Sequence, residues 1–263
     1  MESNISVHVD SHGDPEFMRS LARGMAVIQA LCDARRPQTI AMISEKTGIS
    51  RAAARRCLYT LRQLGYLSGE MSGFMLEPAI LRLGYSYLSS TPLAALAQPY
   101  LDHLSRMLDE SSSVAVLEDG SVMHLAGAGA SPMGAATLTV GGRLPAYCTA
   151  LGRVLLAHLP PAQLDAYFAS TTLTAMTDRT VVTERRLREL LAEVRQTGYA
   201  LDDEELEIGL LSIAVPIRRT TSGTVVAALN LGARKTSADA ERLNTQFLPL
   251  LRLTSLELSH LLE

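Results

Sequence analysis

No stretch of this sequence stays apolar for the roughly 18 residues that a membrane-crossing helix needs. Its first residues, MESNISVHVDSHGD, are polar and acidic where a secretory leader would be basic and then apolar. The expectation is a cytoplasmic protein with no membrane partner. Cysteine is scarce: the three residues Cys32, Cys57 and Cys148 are far apart and lack CxxC spacing, which argues against both a disulfide framework and a zinc site. The six histidines are scattered, so no metal or other cofactor is expected. Catalytic signatures are missing too. AGAGAS around Gly127 and Gly129 lacks the third glycine of a GxGxxG loop and is not followed by GKS or GKT. Ser212 lies outside a GxSxG elbow, and no histidine stands in a nucleophile–base pattern. The carboxylates Asp202, Asp203, Glu204, Glu205 and Glu207 lack the spacing of a calcium loop and read as a solvated turn. Nothing here predicts an enzyme.

What is present is a concentration of positive charge. The composition, 47% hydrophobic and 19% charged with a net charge of −3 over 263 residues, is that of a globular protein of one large or two ordinary domains. Between Arg19 and Leu64, nine basic residues face only the acids Asp33 and Glu45, a net of +7; the remainder carries 15 basic and 25 acidic residues, a net of −10. An acidic protein that gathers its cations on one small module has the electrostatic footprint of a phosphate-backbone binder.

That module carries a helix-turn-helix pattern, TIAMISEKTGISRAAARRCLYTLRQL. Thr39 is placed to cap a first helix through Ile43 and Lys46, Gly48 supplies the positive φ at its end, and Ser50 caps a second helix that runs to Leu64 and stops at Gly65. Ala54, Cys57, Leu58, Leu61 and Leu64 recur as one buried stripe. Arg51, Arg55, Tyr59 and Arg62 then fall on the opposite face, flanked by Arg56. In SGEMSGFMLEP, Gly69 and Gly73 bracket a turn between two short strands, a wing. Helix and wing together predict duplex DNA as partner, the helix in the major groove and the hairpin on the adjacent backbone. The candidate DNA contacts are Thr39, Lys46, Ser50, Arg51, Ala52, Arg55, Arg56, Tyr59 and Arg62, with Arg51 and Arg55 suited to guanine and Arg62 to phosphate.

Residues 1–16 read as a flexible tail, and FMRSLARGMAVIQAL puts Leu21, Met25, Ile28 and Leu31 on the packing face of a supporting helix. The first domain spans 17–78. Pro78 opens PAILRLGYSYLSS, and residues 79–92 read as a linker helix or as a core helix of the second domain. Residues 93–263 then alternate helices and strands: a long helix from Pro92, strands SVAVLED and SVMHLAGA meeting at Asp119-Gly120, a short strand TLTV, a helix from Ala150, two more helices, strands LLSIAVPIRR and TVVAALNLGA, and a closing helix from Asp239 to Leu262. The fold class is α+β, an antiparallel sheet flanked by helices.

Small polar residues interrupt apolar segments of this second domain: Tyr147 and Thr149 at the entry to the Ala150 helix, Ser212 in SIAV and Asn230 in AALNLG. A polar group in a buried strand costs about 1–3 kcal/mol unless paired, so such groups either satisfy nearby backbone or face a polar ligand. The helix N-terminus at Thr149 suits a carboxylate, because its free N–H groups and dipole favour an anion. Arg143, just upstream, is a candidate charge partner or a surface residue.

The motifs SLARGMAVIQAL, TGISRAAARRCLYTLRQLGYL, GGRLPAYCTALGRVLLAHL, GYALDDEELEIGLLSIAVPI and VVAALNLGA occur in the order found in the IclR family of bacterial transcription regulators. The chain resembles that family over nearly everything after residue 17, and within it the subgroup of the PcaR, PcaU and PobR type, which controls catabolism of protocatechuate and p-hydroxybenzoate. The resemblance implies a winged helix-turn-helix domain, a linker helix, a GAF-like effector-binding domain, and homodimers or homotetramers acting on operators near degradation genes. It implies a pocket for a small organic acid of the protocatechuate, p-hydroxybenzoate or β-ketoadipate type that includes Ala150, Leu151, Asp202, Leu210, Ser212 and Asn230. One position departs: the subgroup commonly has an arginine near the end of the domain's second strand, where this chain has Gly127. Two other readings stand beside this one, an enzyme carrying a regulatory DNA-binding module and an interaction module whose arginine stripe docks an acidic protein.

Overall fold

A computed structural model describes residues 14–32, 34, 36–70, 72–84, 92–129 and 140–262. The expected tail up to residue 13, residues 85–91 of the expected linker and residues 137–139 of the TLTV strand lie outside them. Tertiary contacts divide the chain into two units, Met1–Tyr87 and Leu88–Glu263.

The first unit holds helices α1 (Arg19–Cys32), α2 (Ile40–Thr47) and α3 (Arg51–Gln63) and a hairpin of β1 (Leu67–Glu70) and β2 (Gly73–Leu76). Local chemistry sets the boundaries. Thr39 Oγ1 accepts the Met42 N–H at 3.3 Å, Ser50 Oγ accepts the Ala53 N–H at 3.3 Å, and Gly48 ends α2 at φ +71°. Each cap stabilises its helix by about 1 kcal/mol. Val27, Ala30, Leu31, Ile43, Ile49, Ala54, Leu58, Leu61, Leu67 and Phe74 close one core. Gln38 and Phe74 exchange two backbone hydrogen bonds of 2.9 Å, which anchors the wing to the segment before α2.

Two expected stripes shift. On α3, Leu64 is 59% exposed and Cys57 only half-buried, so Ala54, Leu58 and Leu61 do the packing. On α1 the packing face is Val27, Ala30 and Leu31, whereas Leu21 is 63% and Met25 45% exposed. This helix is apolar on two adjacent faces, and a 3.6-residue period cannot say which of them meets the core.

In the second unit, β3 (Ser111–Glu118), β4 (Ser121–Ala128), β5 (Arg143–Pro145), β6 (Ala200–Asp203), β7 (Leu210–Arg218) and β8 (Val225–Arg234) form an antiparallel sheet in the order β5-β4-β3-β8-β7-β6. One face packs on α4 (Pro92–Leu108) and on a closing helical stretch, which runs from Ala240–Arg242 through a π-helical turn, Leu243–Phe247, into α8 (Leu248–His260). The other face packs on α5 (Ala150–Ala157), α6 (Pro161–Ser170) and α7 (Glu184–Thr197). Alternation along each strand, with both faces covered, explains why β7 and β8 are apolar almost throughout.

The carboxylate run is not a solvated turn. Ala200 and Asp202 point inward from β6, Asp202 is 1% exposed, and Glu204 and Glu205 are buried. Burial is tolerable because partners are supplied: Arg153 bridges Glu205 at 2.5 Å, and Glu204 meets Lys235 at 2.8 Å and Arg179 at 3.0 Å. β5 is a three-residue edge strand paired with β4 that carries no alternation long enough to read from the sequence.

Candidate functional site

On α3, the side chains of Arg51, Ala52, Arg55, Arg56 and Tyr59 are exposed, while Ala54 and Leu58 point inward. Arg51, Arg55 and Arg56 make no ion pair among the described residues, so a row of guanidinium groups faces solvent. Arg62 is half-buried, and its Nη1 reaches the wing carbonyl of Gly69 at 3.4 Å. Lys46 corrects the expected DNA surface: the residue is half-buried and its ammonium donates to the Ala30 carbonyl at 3.1 Å, bracing α2 on α1. Thr39 and Ser50 serve as the helix caps.

In the second unit, strand register decides which side chains share a face. Directly opposite residues project to the same side, as do alternate residues of one strand. Asp202 pairs with Ser212, Ala214 with Asn230, Asn230 with Ser113, and Ala115 with His124. Leu210, Ser212 and Ala214 alternate onto this side. Ala115 and Ala214 belong to the same core as Ala150 and Leu151 of α5. The register therefore puts Asp202, Ser212, Asn230, Ser113 and His124 on the α5 side of the sheet in a slanting polar row, offset by two residues between Ser212 and Asn230 and by two more between Ser113 and His124. Within it Ser113 Oγ donates to Asn230 Oδ1 at 2.6 Å, and Asp202 Oδ1 accepts the Glu205 N–H at 3.0 Å. Burial outweighs that hydrogen bond and the Arg153 charge and pushes the Asp202 carboxyl up to about 7.

Above the row, α5 begins at a cap. Thr149 Oγ1 accepts the Gly152 N–H at 3.1 Å and donates to the Pro145 carbonyl at 3.1 Å. The N–H groups of Ala150 and Leu151 make no hydrogen bond among the described residues, although both residues are buried. Open N–H groups at a helix start, with the helix dipole behind them, favour an anion over a cation. The Cys148 thiol just before it is pushed up to about 12, by burial first and then by the Asp202 charge, so it is a neutral packing group near Asp202.

Three sequence candidates take other roles. Arg143 sits on edge strand β5 in an exposed pair with Glu118 Oε2 at 2.8 Å and also donates to the Glu118 carbonyl, so it is a surface residue. The Tyr147 hydroxyl donates to the Thr174 carbonyl at 2.8 Å, and Thr149 is the cap; both shape the loop that presents α5. His124 is a residue of this row that sequence reasoning misses. Its one signal is the alternation in SVMHLAGA, which puts Val122 and His124 on one side. It is 2% exposed, and neither ring nitrogen has a hydrogen-bond partner among the described residues. A separate cleft of about 480 Å³ opens at the far end of α5, beside His158, Gln163, Tyr167 and Val225, and includes none of these candidates.

A winged helix-turn-helix unit joined to an α/β unit with a polar row beneath an open helix start is the layout of a ligand-responsive transcription regulator. Residues 20–70 match the IclR helix-turn-helix domain, and residues 85–260 match the family described as bacterial transcriptional regulator IclR C-terminal. The chain is 47% identical, over 249 residues covering 94% of its length and 85% of the relative's, to the Pca regulon regulatory protein of Pseudomonas putida. It is similar to a transcriptional regulator from Rhodococcus sp. RHA1, with a TM-score of 0.80 and 40% identity over 94% of this chain and 98% of that one. It is also similar to the inducer-binding domain of a PobR double mutant from Acinetobacter in complex with 3-hydroxybenzoic acid, with a TM-score of 0.58 and 32% identity over 63% of this chain and 97% of that one. The chain belongs to the IclR family and is a DNA-binding transcriptional regulator.

Proposed function

We propose that this regulator senses a small aromatic acid and thereby controls genes for aromatic-compound degradation. The observation that carries the reading is the buried start of α5, where the N–H groups of Ala150 and Leu151 make no hydrogen bond among the described residues, on the side of the sheet that carries Ser212 and Asn230. The acid's carboxylate takes those N–H groups, Ser212 and Asn230 add hydrogen bonds, and Leu151 and Leu210 flank the ring. Tyr147 and Thr149 act as positioning residues. The double-mutant inducer-binding domain of PobR is in complex with 3-hydroxybenzoic acid, which supports an aromatic acid.

On the DNA side, Arg51 and Arg55 read base edges from the major groove, with Ala52, Arg56, Tyr59 and Arg62 on the flanking bases and backbone. The exposed Leu21 and Met25 on α1 are apolar surface that a second copy would cover, in support of a homodimer or homotetramer on the operator. Absence of a nucleophile–base pattern supports a protein that binds its acid without turning it over. No helix among the described residues is long and apolar enough to cross a membrane, and a DNA-binding regulator works in the cytoplasm.

Calorimetry of the full chain with p-hydroxybenzoate, protocatechuate and β-ketoadipate tests this reading. p-Hydroxybenzoate or protocatechuate is expected to bind, with loss of affinity in Ser212→Ala and no chemical change in the recovered acid. Binding of neither, binding of β-ketoadipate alone, or turnover overturns it.

A further inference from the structure

We propose that the effector's carboxylate docks against the Asp202 carboxyl with one proton held between them, so that binding takes up a proton from solvent and weakens as pH rises. This rests on the reading of the α5 start as the effector site, and it adds the proton balance of that site.

Asp202 stands where the acid is held. It points inward from β6, is 1% exposed, and lies directly opposite Ser212 of β7; opposite side chains of a strand pair are about 5 Å apart. A run of contacts joins it to the first turn of α5. The Glu205 N–H donates to Asp202 Oδ1 at 3.0 Å, Arg153 Nη2 meets Glu205 Oε2 at 2.5 Å, and Arg153 Nε donates to the Tyr147 carbonyl at 3.1 Å. Asp202 Oδ2 makes no hydrogen bond among the described residues. An acid held by the Ala150 and Leu151 N–H groups and by Ser212 therefore meets that oxygen.

Charge decides how two carboxyls share the place. Arg153, on α5, is the cation whose charge reaches Asp202, and Glu205 is already bonded to it. Asp203 on the same strand adds a negative charge, Cys148 ahead of α5 is a neutral thiol, and β7 contributes the Ser212 hydroxyl. The helix start offers only about half an elementary charge. An ionised Asp202 beside an ionised effector would set two buried anions against that half charge, and carboxylates in such contact hold one proton between them. The proton is near at hand. Burial holds the Asp202 carboxyl at about 7, so at neutral pH roughly half the molecules carry it before the acid arrives. The O–H of the protonated member then donates to the oxygen of the other, a charge-assisted hydrogen bond.

The test is calorimetry of the full chain with p-hydroxybenzoate and protocatechuate at pH 8 in phosphate and in Tris, whose ionisation enthalpies differ, and at pH 6 in phosphate. For wild type at pH 8, the difference in heat between the buffers is expected to report close to one proton taken up per acid bound. Affinity is about tenfold weaker at pH 8 than at pH 6, because roughly a tenth of the molecules carry the proton beforehand at the higher pH. Asp202→Asn, neutral at every pH, takes up no proton and binds with the same affinity at both. In case that variant fails to fold, infrared difference spectra of the wild type give a second readout: a carboxylic-acid C=O band appears when the acid binds at pH 8. Binding without proton uptake, uptake that persists in Asp202→Asn, or absence of that band overturns the role of Asp202 and leaves the effector site standing. A wild type that binds neither acid at either pH overturns the effector-site reading as well.

Discussion

Arg55 lies at the middle of the exposed face of α3, with no ion pair among the described residues to give up before it can reach a base. Replacing it with alanine is expected to cost about 1–3 kcal/mol on the cognate operator and much less on random duplex, as read by fluorescence anisotropy. Equal losses on both would make it a phosphate contact. His124 makes stability depend on pH. Its folded pKa of about 4 lies below the ordinary histidine value of 6.5. Between those values the unfolded chain takes a proton that the folded chain refuses, so stability is complete above pH 6.5 and is lost as pH falls toward 4. At pH 5 the loss is about 2 kcal/mol, and His124→Asn should abolish it in urea unfolding at pH 7.5 and pH 5. Asp202 works in the opposite sense: a carboxyl held at about 7 loses stability as pH rises from its ordinary range toward 7. Asp202→Asn should therefore raise stability at pH 7.5 relative to pH 5.

At the scale of elements, α5 depends on a close approach that only glycine permits. A Cβ on Gly152 would lie 2.1 Å from the Ala146 carbonyl oxygen and 2.3 Å from Ala146 Cα, both backbone atoms that cannot swing aside. Gly152→Ala is expected to destabilise the chain by about 3 kcal/mol and to weaken acid binding, by forcing the helix start off its loop. Stability no different from wild type would mean that the loop gives way freely. The Arg153–Glu205 pair ties the same helix to the end of β6. Arg153→Met leaves a buried carboxylate, which already accepts the Val181 N–H, without its cation; about 3–5 kcal/mol should be lost in the same unfolding assay.

Elements with strong local signals were legible in the sequence: the caps at Thr39 and Ser50, the Asp119-Gly120 hairpin, and the glycine stop at Gly48. What escaped was set by partners distant in the chain. The inward face of α1 depends on where α3 lies, and Asp202 and Glu205 are buried only because Arg153 is folded against them. Ser212 and Asn230 were visible as polar interruptions of apolar strands. His124 was not, because SVMHLAGA reads equally well with that face outward until β3 is laid beside it.

The whole molecule separates its charge, a cationic DNA-reading unit and an acidic second unit, and the proposed function requires that the two communicate. An acid that binds the second unit changes operator affinity only if it binds better to the DNA-competent or to the incompetent form, and a coupling of about 1–3 kcal/mol corresponds to roughly 5–150-fold. Salt should weaken DNA binding steeply whether or not the acid is present, since the phosphate contacts remain those of α3.

The most direct measurement is an anisotropy titration of the full chain on its operator at fixed salt, with and without saturating p-hydroxybenzoate. A change in Kd of about fivefold or more is expected, and it disappears in Ser212→Ala, whose DNA affinity without acid matches wild type. An operator Kd unmoved by an acid that calorimetry shows to be bound would contradict it.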